Sequence, residues 1–236
     1  MFSEYSYKEI INCILQIVKA EKVFVLATIK SEAQTESIFI QSPFKKNKIE
    51  HHYLLVLIEK KYQSVYRKVQ EEIESLCARE NPVTVIAMEM EIFNEWLSEG
   101  HPFCVSVKTN ALCIYDNGRI ALAEEGFINE DQLIQERKRN YENGLLEMQQ
   151  FIKANLLHEA AVAGLMHILK AKLGISFQTN NIDQLISYCS IVIKEMRFIF
   201  PYSGYDLQPP VEKIEALIHT LYAPYYLMEM QDRSLK

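Results

Sequence analysis

Apolar residues recur at the spacing of a helix in the C-terminal half of the chain, most clearly between Phe151 and Lys172. They fall at positions i, i+3, i+4, i+7 and i+8, which places them on one face of an α-helix. Small alanine and glycine residues on that face let a second helix approach closely. The pattern predicts one long buried helix over 151–172, with an apolar face made of Leu157, Ala160, Ala161, Gly164, Leu165, Ile168 and Leu169.

Three further helices are predicted around this one. A charged stretch, Asp131–Gln150, precedes it, and Asp183–Phe198 follows after a polar interruption. A last helix, Val211–Tyr222, should end before Pro224, because proline lacks the amide hydrogen that a helix interior needs. Consecutive helices with short connections are typical of an up-and-down helical bundle.

The N-terminal half alternates between strand and helix patterns, which favours a mixed α/β domain. The uninterrupted apolar run Tyr53–Ile58 is typical of a strand that is buried on both faces of its sheet. A basic loop is predicted at Pro43–Glu50 and a turn at Asp116–Arg119. The patterns predict helices at Tyr5–Ala20, Tyr62–Cys77 and Glu91–Leu97, and strands at Lys22–Thr28, Ser37–Gln41, Tyr53–Ile58, Pro82–Met88, His101–Val107 and Ala111–Asp116.

The two halves are expected to form separate domains in an α+β chain. Periodicity is lost at Leu122–Asn129, and Gly126 permits a turn there. We therefore expect a mixed α/β domain over residues 1–123 and an all-α helical bundle over residues 128–236.

Charge and cysteine content narrow the classes of function. The chain has 31 acidic and 25 basic side chains, and an acidic balance of this kind disfavours a broad surface for duplex DNA. It shows no signal-peptide pattern and no long apolar run, so we expect a cytoplasmic protein with no membrane partner. Odd, scattered cysteines without a CxxC pair predict buried, reduced thiols: Cys13, Cys77, Cys104, Cys113 and Cys189.

Two motifs in the C-terminal half resemble those of the HEPN family (higher eukaryotes and prokaryotes nucleotide-binding domain). The run His158-Glu159-Ala160-Ala161 is similar to the family's helix motif, although Val162 stands where a glutamate is found. The segment Thr179–Asp183 is similar to the cap before the next helix, with Asn180 where a histidine is common. The resemblance implies a helical bundle that forms a homodimer, with His158 and Arg197 of both copies near a shared groove for a nucleotide or RNA.

The N-terminal half resembles a nucleotidyltransferase fold whose motifs have degenerated. In that family a Gly-Ser pair follows the first strand, and paired carboxylates on the second strand hold Mg²⁺ against phosphate oxygens. Here Ala27 and Thr28 follow the first strand, while His51 and Tyr53 stand at the carboxylate positions. Thr84 is the nearest match to the third carboxylate. The resemblance thus implies a domain that has lost nucleotidyl transfer, and we expect no metal ion and no cofactor.

Some HEPN proteins resemble metal-independent ribonucleases with an Arg-x(4–6)-His motif, in which histidine moves protons and arginine stabilises the phosphorane oxygens. No arginine of this chain has a histidine at that spacing. Arg197 has Tyr202 there instead, and tyrosine with an ordinary pKa is a poor base at neutral pH. This absence disfavours ribonuclease activity of that type.

Several polar residues admit both a structural and a functional interpretation. His51 and His52 are neighbours on a strand, so their side chains should point to opposite faces and not share a metal. His158 fits either a hydrogen bond within the bundle or contact with a ligand. Asn180 and Asp183 also fit helix capping, with Asn180 or Asn181 supplying the side-chain oxygen. His219 and Tyr222 belong to the last helix and could either pack or stack on a base.

From these observations we expect a non-catalytic HEPN protein that binds a nucleotide, an RNA or a partner, with an inactivated nucleotidyltransferase-like domain. One alternative is a divergent HEPN ribonuclease that uses His158, Arg197 and His219. Another is a nucleotidyltransferase with unusual ligands, or a protein related to toxin–antitoxin pairs. Whether the chain is an enzyme stays open at this point.

Overall fold

A four-stranded mixed sheet and a set of packed helices make up the computed structural model of this chain. The structure describes residues 4–33, 47–59, 66–78, 82–177, 179–192, 217–219 and 221. The helices are α1 (Glu4–Ile17), α2 (Tyr66–Cys77), α3 (Met90–Ser98), α4 (Pro102–Asn110), α5 (Glu130–Lys153), α6 (Leu157–Leu173) and α7 (Ile182–Val192). The strands are β1 (Ala20–Ala33), β2 (Asn47–Ile58), β3 (Val83–Glu89) and β4 (Leu112–Asp116).

The chain divides into two compact units, Met1–Phe127 and Ile128–Lys236. All four strands lie in the first unit, together with α1 to α4, and the helices α5 to α7 lie in the second. The α+β class predicted from the sequence is confirmed at this level.

The sheet of the first unit has the strand order β3-β2-β1-β4. β1 pairs antiparallel with both β2 and β4, whereas β2 and β3 are parallel and are joined through α2. The prediction that Tyr53–Ile58 is buried on both faces is confirmed, since all six of its side chains are buried. Side chains from α1 and α2 cover one face, and Phe93 of α3 stacks on Phe24 of the other.

Polar side chains of α2 occupy the outer edge of β3, which is an edge strand of the sheet. Gln70 donates a hydrogen bond to the Val85 carbonyl oxygen (2.7 Å), and the Glu74 carboxylate accepts one from the Val85 amide (2.8 Å). Both side chains thus replace the hydrogen bonds that a further strand would make at Val85. Such coverage prevents an edge strand from pairing with another chain.

The prediction of a strand at His101–Val107 is wrong, because these residues lead into helix α4. Pro102 occupies the first turn of that helix, where its missing amide hydrogen costs nothing. Phe103, Cys104 and Val107 are buried at helical spacing. The β-branched and aromatic composition favoured a strand, but the proline position and the burial pattern of the folded chain favour a helix.

The first two strands are longer than the sequence pattern indicated. β1 continues through polar residues to Ala33, and Asn47–Glu50 belong to β2, so part of the predicted basic loop is strand. The polar ends pair with each other, as in Lys30 opposite Glu50. The strand predicted at Ser37–Gln41 lies outside the described residues.

The predicted turn at Asp116–Arg119 is confirmed. Asp116 Oδ1 accepts a hydrogen bond from the Gly118 amide (2.8 Å), and Asn117 Oδ1 accepts one from the Arg119 amide (2.9 Å). Gly118 has a φ of 74°, a left-handed conformation that glycine adopts without a steric penalty.

Gly126 lies in the segment that was expected to separate the two domains, but its role differs from the predicted one. A Cβ atom on Gly126 would lie 2.1 Å from the Ser98 carbonyl oxygen and 2.6 Å from the Gly100 nitrogen. The Gly126 amide donates to the Leu97 carbonyl oxygen (2.9 Å). Gly126 does not have a positive φ. Glycine is therefore required here for close approach to the end of α3 and not for a left-handed backbone.

The helix predicted over 151–172 is two helices in the structure. Phe151–Lys153 complete α5, and α6 begins only at Leu157. Asn155 adopts a left-handed conformation, with φ of 58°, in the connection. Asparagine tolerates this conformation better than most residues other than glycine, which allows the chain to reverse without a proline or glycine.

Helix α6 is the centre of the second unit. The predicted apolar face is buried from Ala160 to Leu169, and Val162, Ala163 and Ala171 are buried as well. The wider burial fits a helix that packs against both α5 and α7. Of the predicted last helix, residues 217–219 and 221 are described and helical.

All five cysteines are free thiols. Cys77, Cys104 and Cys189 are buried as predicted, but Cys113 is exposed, because β4 is an edge strand with exposed side chains. In the part of the chain that the structure describes, no helix combines the length and apolar character needed to span a membrane.

Candidate functional site

Side chains at the motif positions of β2 and β3 meet on one face of the sheet. The parallel register places Tyr53 opposite Thr84. The ring of His51 lies 4.8 Å from that of Tyr53, and His51 Nε2 is hydrogen-bonded to Thr84 Oγ1 (2.8 Å). Tyr53 and Thr84 are buried. We refer to His51, Tyr53 and Thr84 as the His51 cluster.

A second histidine contact lies on the opposite face of the same strand. His52 Nδ1 is hydrogen-bonded to Thr28 Oγ1 (3.0 Å), in register with the pairing of these two residues in the β1–β2 ladder. The ring of Tyr7 from α1 lies 5.3 Å from the His52 ring. The two histidines thus point to opposite faces, as predicted, and they have separate partners.

The His51 imidazole is neutral at physiological pH. Burial lowers its pKa from 6.5 to about 4, and the neighbouring His52 adds to this shift. Burial disfavours the charged form because the protein interior solvates charge poorly. The His51 cluster consequently presents neutral hydrogen-bonding groups.

Neutral groups of this kind suit a polar ligand better than Mg²⁺. Mg²⁺ is a hard cation that proteins bind through carboxylate oxygens and water. The three positions of the His51 cluster instead carry an imidazole, a phenol and a hydroxyl. Among the described residues, no three His, Cys, Asp or Glu side chains are grouped so that they could hold a metal ion.

The sequence interpretation required Ala27 and Thr28 to follow the first strand, and this is wrong. They lie within β1, paired with Tyr53 and His52 of β2. A phosphate-binding loop depends on backbone amides that are free to face the phosphate. Inclusion of this segment in a continuous strand pair removes that freedom, and a local irregularity between Val25 and Ala27 is its only departure from regular pairing.

Three described candidates of the second unit, His158, Asn180 and Asp183, lie at two separate places. His158 is exposed near the start of α6, and Asn180 and Asp183 are exposed near the start of α7. Cys189 of α7 contacts the Leu165 carbonyl of α6, and the connection between the helices lies toward Leu173. At 1.5 Å per residue, His158 is therefore about 20 Å from the start of α7 along the bundle.

The polar segment before α7 has a structural role. Asn181 Oδ1 accepts a hydrogen bond from the Gln184 amide (3.2 Å), and Thr179 Oγ1 accepts one from the Asn181 amide (3.2 Å). Asn181 thus supplies the side-chain oxygen that caps the helix, one of the two residues considered for this role. Asn180 keeps its side chain exposed.

Of the remaining candidates, His219 is exposed, while its neighbours Leu217 and Ile218 are buried. Arg197, Tyr202 and Tyr222 lie outside the described residues. His167, nine residues after His158, is hydrogen-bonded to Glu147 of α5 (2.8 Å). The two histidines of α6 thus have different surroundings.

The sequence interpretation missed a cluster of charged side chains where β1 pairs with β4. The carboxylate of Glu21, with a side chain 1% exposed, pairs with Arg119, and Arg119 also donates to Glu59 (2.7 Å). Lys22 pairs with Asp116 (2.6 Å). These partners are far apart along the chain, and no local pattern connects them. The one signal in the sequence was the predicted turn at Asp116–Arg119, which indicated that Arg119 lies near the end of a strand.

No family model, no curated protein and no solved structure matches this chain. The resemblance to the HEPN and nucleotidyltransferase families rests on the motif residues and on the order of the elements.

Proposed function

We propose that this chain is a non-catalytic binding protein, in which an inactivated nucleotidyltransferase-like domain is joined to a HEPN-like helical bundle that binds RNA or a nucleotide. The supporting observation is the His51 cluster. An imidazole with a lowered pKa, a phenol and a hydroxyl lie together on adjacent strands, where metal-dependent nucleotidyl transfer needs carboxylates.

The position of Thr28 supports the loss of catalysis independently. Its segment is continuous with β1 and pairs with β2, so it cannot wrap a triphosphate. Thr28, His51 and Thr84 nevertheless come from three neighbouring strands. Thr28 contacts His52 on the face of the sheet opposite to His51 and Thr84, so the three positions do not converge on one metal site.

The binding role belongs in this proposal to the helical bundle, and the bundle is expected to form a homodimer. His158 and His219 are exposed, and an imidazole can meet a phosphate or a base. The bundle would bind without Mg²⁺, since it relies on imidazole and aromatic groups.

Fluorescence anisotropy with a labelled single-stranded RNA, in buffer containing EDTA, tests this proposal. We expect saturable binding with the RNA intact on a gel, and about a fivefold weaker affinity for His158→Ala, which corresponds to roughly 1 kcal/mol. Gln149→Ala, also exposed on a helix of the bundle, is the matched control. RNA cleavage by the wild-type protein, or transfer of a labelled nucleotide in Mg²⁺, would overturn the proposal.

A further inference from the structure

A cavity of about 260 Å³ lies in the first unit, where the end of α1 and the start of β1 face the turn after β4. Its apolar wall includes Leu15, Val18 and the ring of Tyr115. Its polar wall includes Lys19, Asn117 and Arg119. Small-molecule sites usually combine an apolar lining with a few converging polar groups, and this cavity has that composition, although it is open to solvent on the side of Lys19 and Arg119. The His51 cluster contributes no residue to it.

The buried carboxylate of Glu21 holds two side chains of the polar wall in place. Glu21 pairs with Arg119 Nη2, and its other oxygen accepts a hydrogen bond from Asn117 Nδ2 (2.7 Å). Asn117 Nδ2 also donates to the Ala20 carbonyl oxygen (3.2 Å), and Glu59 is the second partner of Arg119 Nη2 (2.7 Å). The Arg119 guanidinium is therefore positioned before any ligand arrives.

Several cationic donors of this wall are not used within the protein. The hydrogen bonds of the Arg119 side chain involve Nη2, so Nε and Nη1 bond to none of the described residues. Lys19 is exposed and makes no ion pair with any residue that the structure describes. A guanidinium offers five N–H donors in one plane, and two on adjacent nitrogens match the two oxygens of a carboxylate.

We propose that this cavity binds a small organic carboxylate, with its charged end on Arg119 and Lys19 and its apolar body against Leu15, Val18 and Tyr115. A carboxylate is favoured over a phosphate because Glu21 and Glu59 already balance much of the positive charge of Arg119 and Lys19, which leaves little to stabilise a doubly charged group. A volume of 260 Å³ lies just below the range of drug-sized pockets, which indicates a ligand of about ten non-hydrogen atoms. This proposal does not depend on the function proposed above.

Titration of the ¹⁵N-labelled full chain with benzoate, followed by backbone amide chemical shifts, tests the site. Benzoate should shift amides at Lys19, Tyr115 and Arg119 in a saturable way. Benzamide, which has nearly the same shape without the charge, should shift them at least fivefold less at equal concentration. Inorganic phosphate at the same ionic strength should also bind more weakly than benzoate.

Two variants and one control locate the binding energy. Arg119→Lys keeps the charge opposite Glu21 but loses the planar fork, and it should weaken benzoate at least fivefold. Lys19→Gln, at an exposed position, should weaken it two- to fivefold, the range of an exposed ion pair. Lys8→Gln, at an exposed position of helix α1, should leave the affinity unchanged.

The proposal is overturned by several results. They are the absence of saturable shifts, equal binding of benzamide, tighter binding of phosphate, or an equal loss for Lys8→Gln and Lys19→Gln. Circular dichroism shows whether Arg119→Lys is folded. Should it not fold, the comparison of Lys19→Gln with Lys8→Gln decides the matter alone.

Discussion

At the scale of single residues, burial shifts the pKa values of two partly buried side chains in opposite directions. Burial lowers the pKa of His51 to about 4, whereas burial raises the pKa of Glu74 from 4.5 to about 7. His51 therefore makes the folded state less stable as the pH falls below 6.5, and Glu74 makes it less stable as the pH rises above 4.5. The two effects offset each other in the wild-type protein, so variants are needed to separate them.

His51→Gln isolates the first effect. Glutamine can keep a hydrogen bond to Thr84 but does not titrate. In the unfolded state His51 binds a proton near pH 6.5, and in the folded state only near pH 4. The free energy of unfolding of wild type relative to His51→Gln should therefore fall by up to about 2 kcal/mol between pH 7 and pH 5, as measured by urea denaturation.

The same substitution at exposed His158 provides the control for this experiment. The free energy of unfolding of His158→Gln should change between pH 7 and pH 5 by the same amount as that of the wild type. An equal pH response in His51→Gln and wild type would show that the His51 imidazole is not buried against Thr84.

At the scale of elements, α2 stabilises the outer edge of β3 through Gln70 and Glu74. Glu74→Gln keeps an acceptor for the Val85 amide and removes the buried charge, so it should raise the free energy of unfolding at pH 8 by at most about 3 kcal/mol. The gain should shrink as the pH falls from 7 toward 4.5, because the wild-type carboxyl is then protonated in the folded state and becomes protonated in the unfolded state as well. Chemical denaturation at several pH values measures both effects.

Glu74→Ala is the matched partner of this variant, because it removes the charge and the acceptor together. Because the Val85 amide then lacks its partner, the free energy of unfolding of Glu74→Ala should be about 1–3 kcal/mol lower than that of Glu74→Gln at every pH. Its uncovered edge should also favour self-association. Equal stability of the two variants would contradict a role for Glu74 at the edge of β3.

Gly126 fixes the segment that follows β4 against the end of α3. A methyl group in Gly126→Ala would meet backbone atoms of Ser98 and Gly100, which cannot rotate away. We therefore expect the free energy of unfolding, measured by thermal or chemical denaturation, to fall by about 2 kcal/mol or more. Gly118→Ala meets no atom within 4 Å and should cost about 1 kcal/mol, for its left-handed φ alone. A smaller loss for Gly126→Ala than for Gly118→Ala would contradict the close approach.

Sequence patterns predicted most elements because their buried residues form either a continuous apolar run or a periodic apolar face. The run Tyr53–Ile58 and the apolar face of α6 needed no knowledge of their partners. Helix α4 was misread because its composition favours a strand, although Pro102 marked a helix start. The break at Asn155 was missed because a single left-handed residue leaves no trace in the hydrophobic pattern.

At the scale of the whole molecule, contacts between distant residues were the hardest to predict. The hydrogen bonds from His51 to Thr84 and from His52 to Thr28 depend on strand register, and Glu21 meets Arg119 across almost a hundred residues. The motif positions Ala27 and Thr28 were expected after a strand. They lie inside one because polar residues beyond them pair with the polar start of β2.

The proposed homodimer makes a prediction about mass. Light scattering of the full chain at micromolar concentration should give twice the 27.5 kDa of one chain. Dilution should return the monomer if the contact is weak, since association follows mass action. A monomeric mass throughout would count against pairing through the helical bundle.

The most direct test of the central claim is a thermal-shift screen with ATP, GTP, CTP, UTP and a short RNA, each with and without Mg²⁺. A ligand at 100 times its dissociation constant stabilises the folded state by about 2.7 kcal/mol, which is a shift of several degrees. The account predicts a shift with RNA or a nucleotide that is equal with and without Mg²⁺. A nucleotide shift that requires Mg²⁺ would contradict it, because the His51 cluster would then belong to a working nucleotide site.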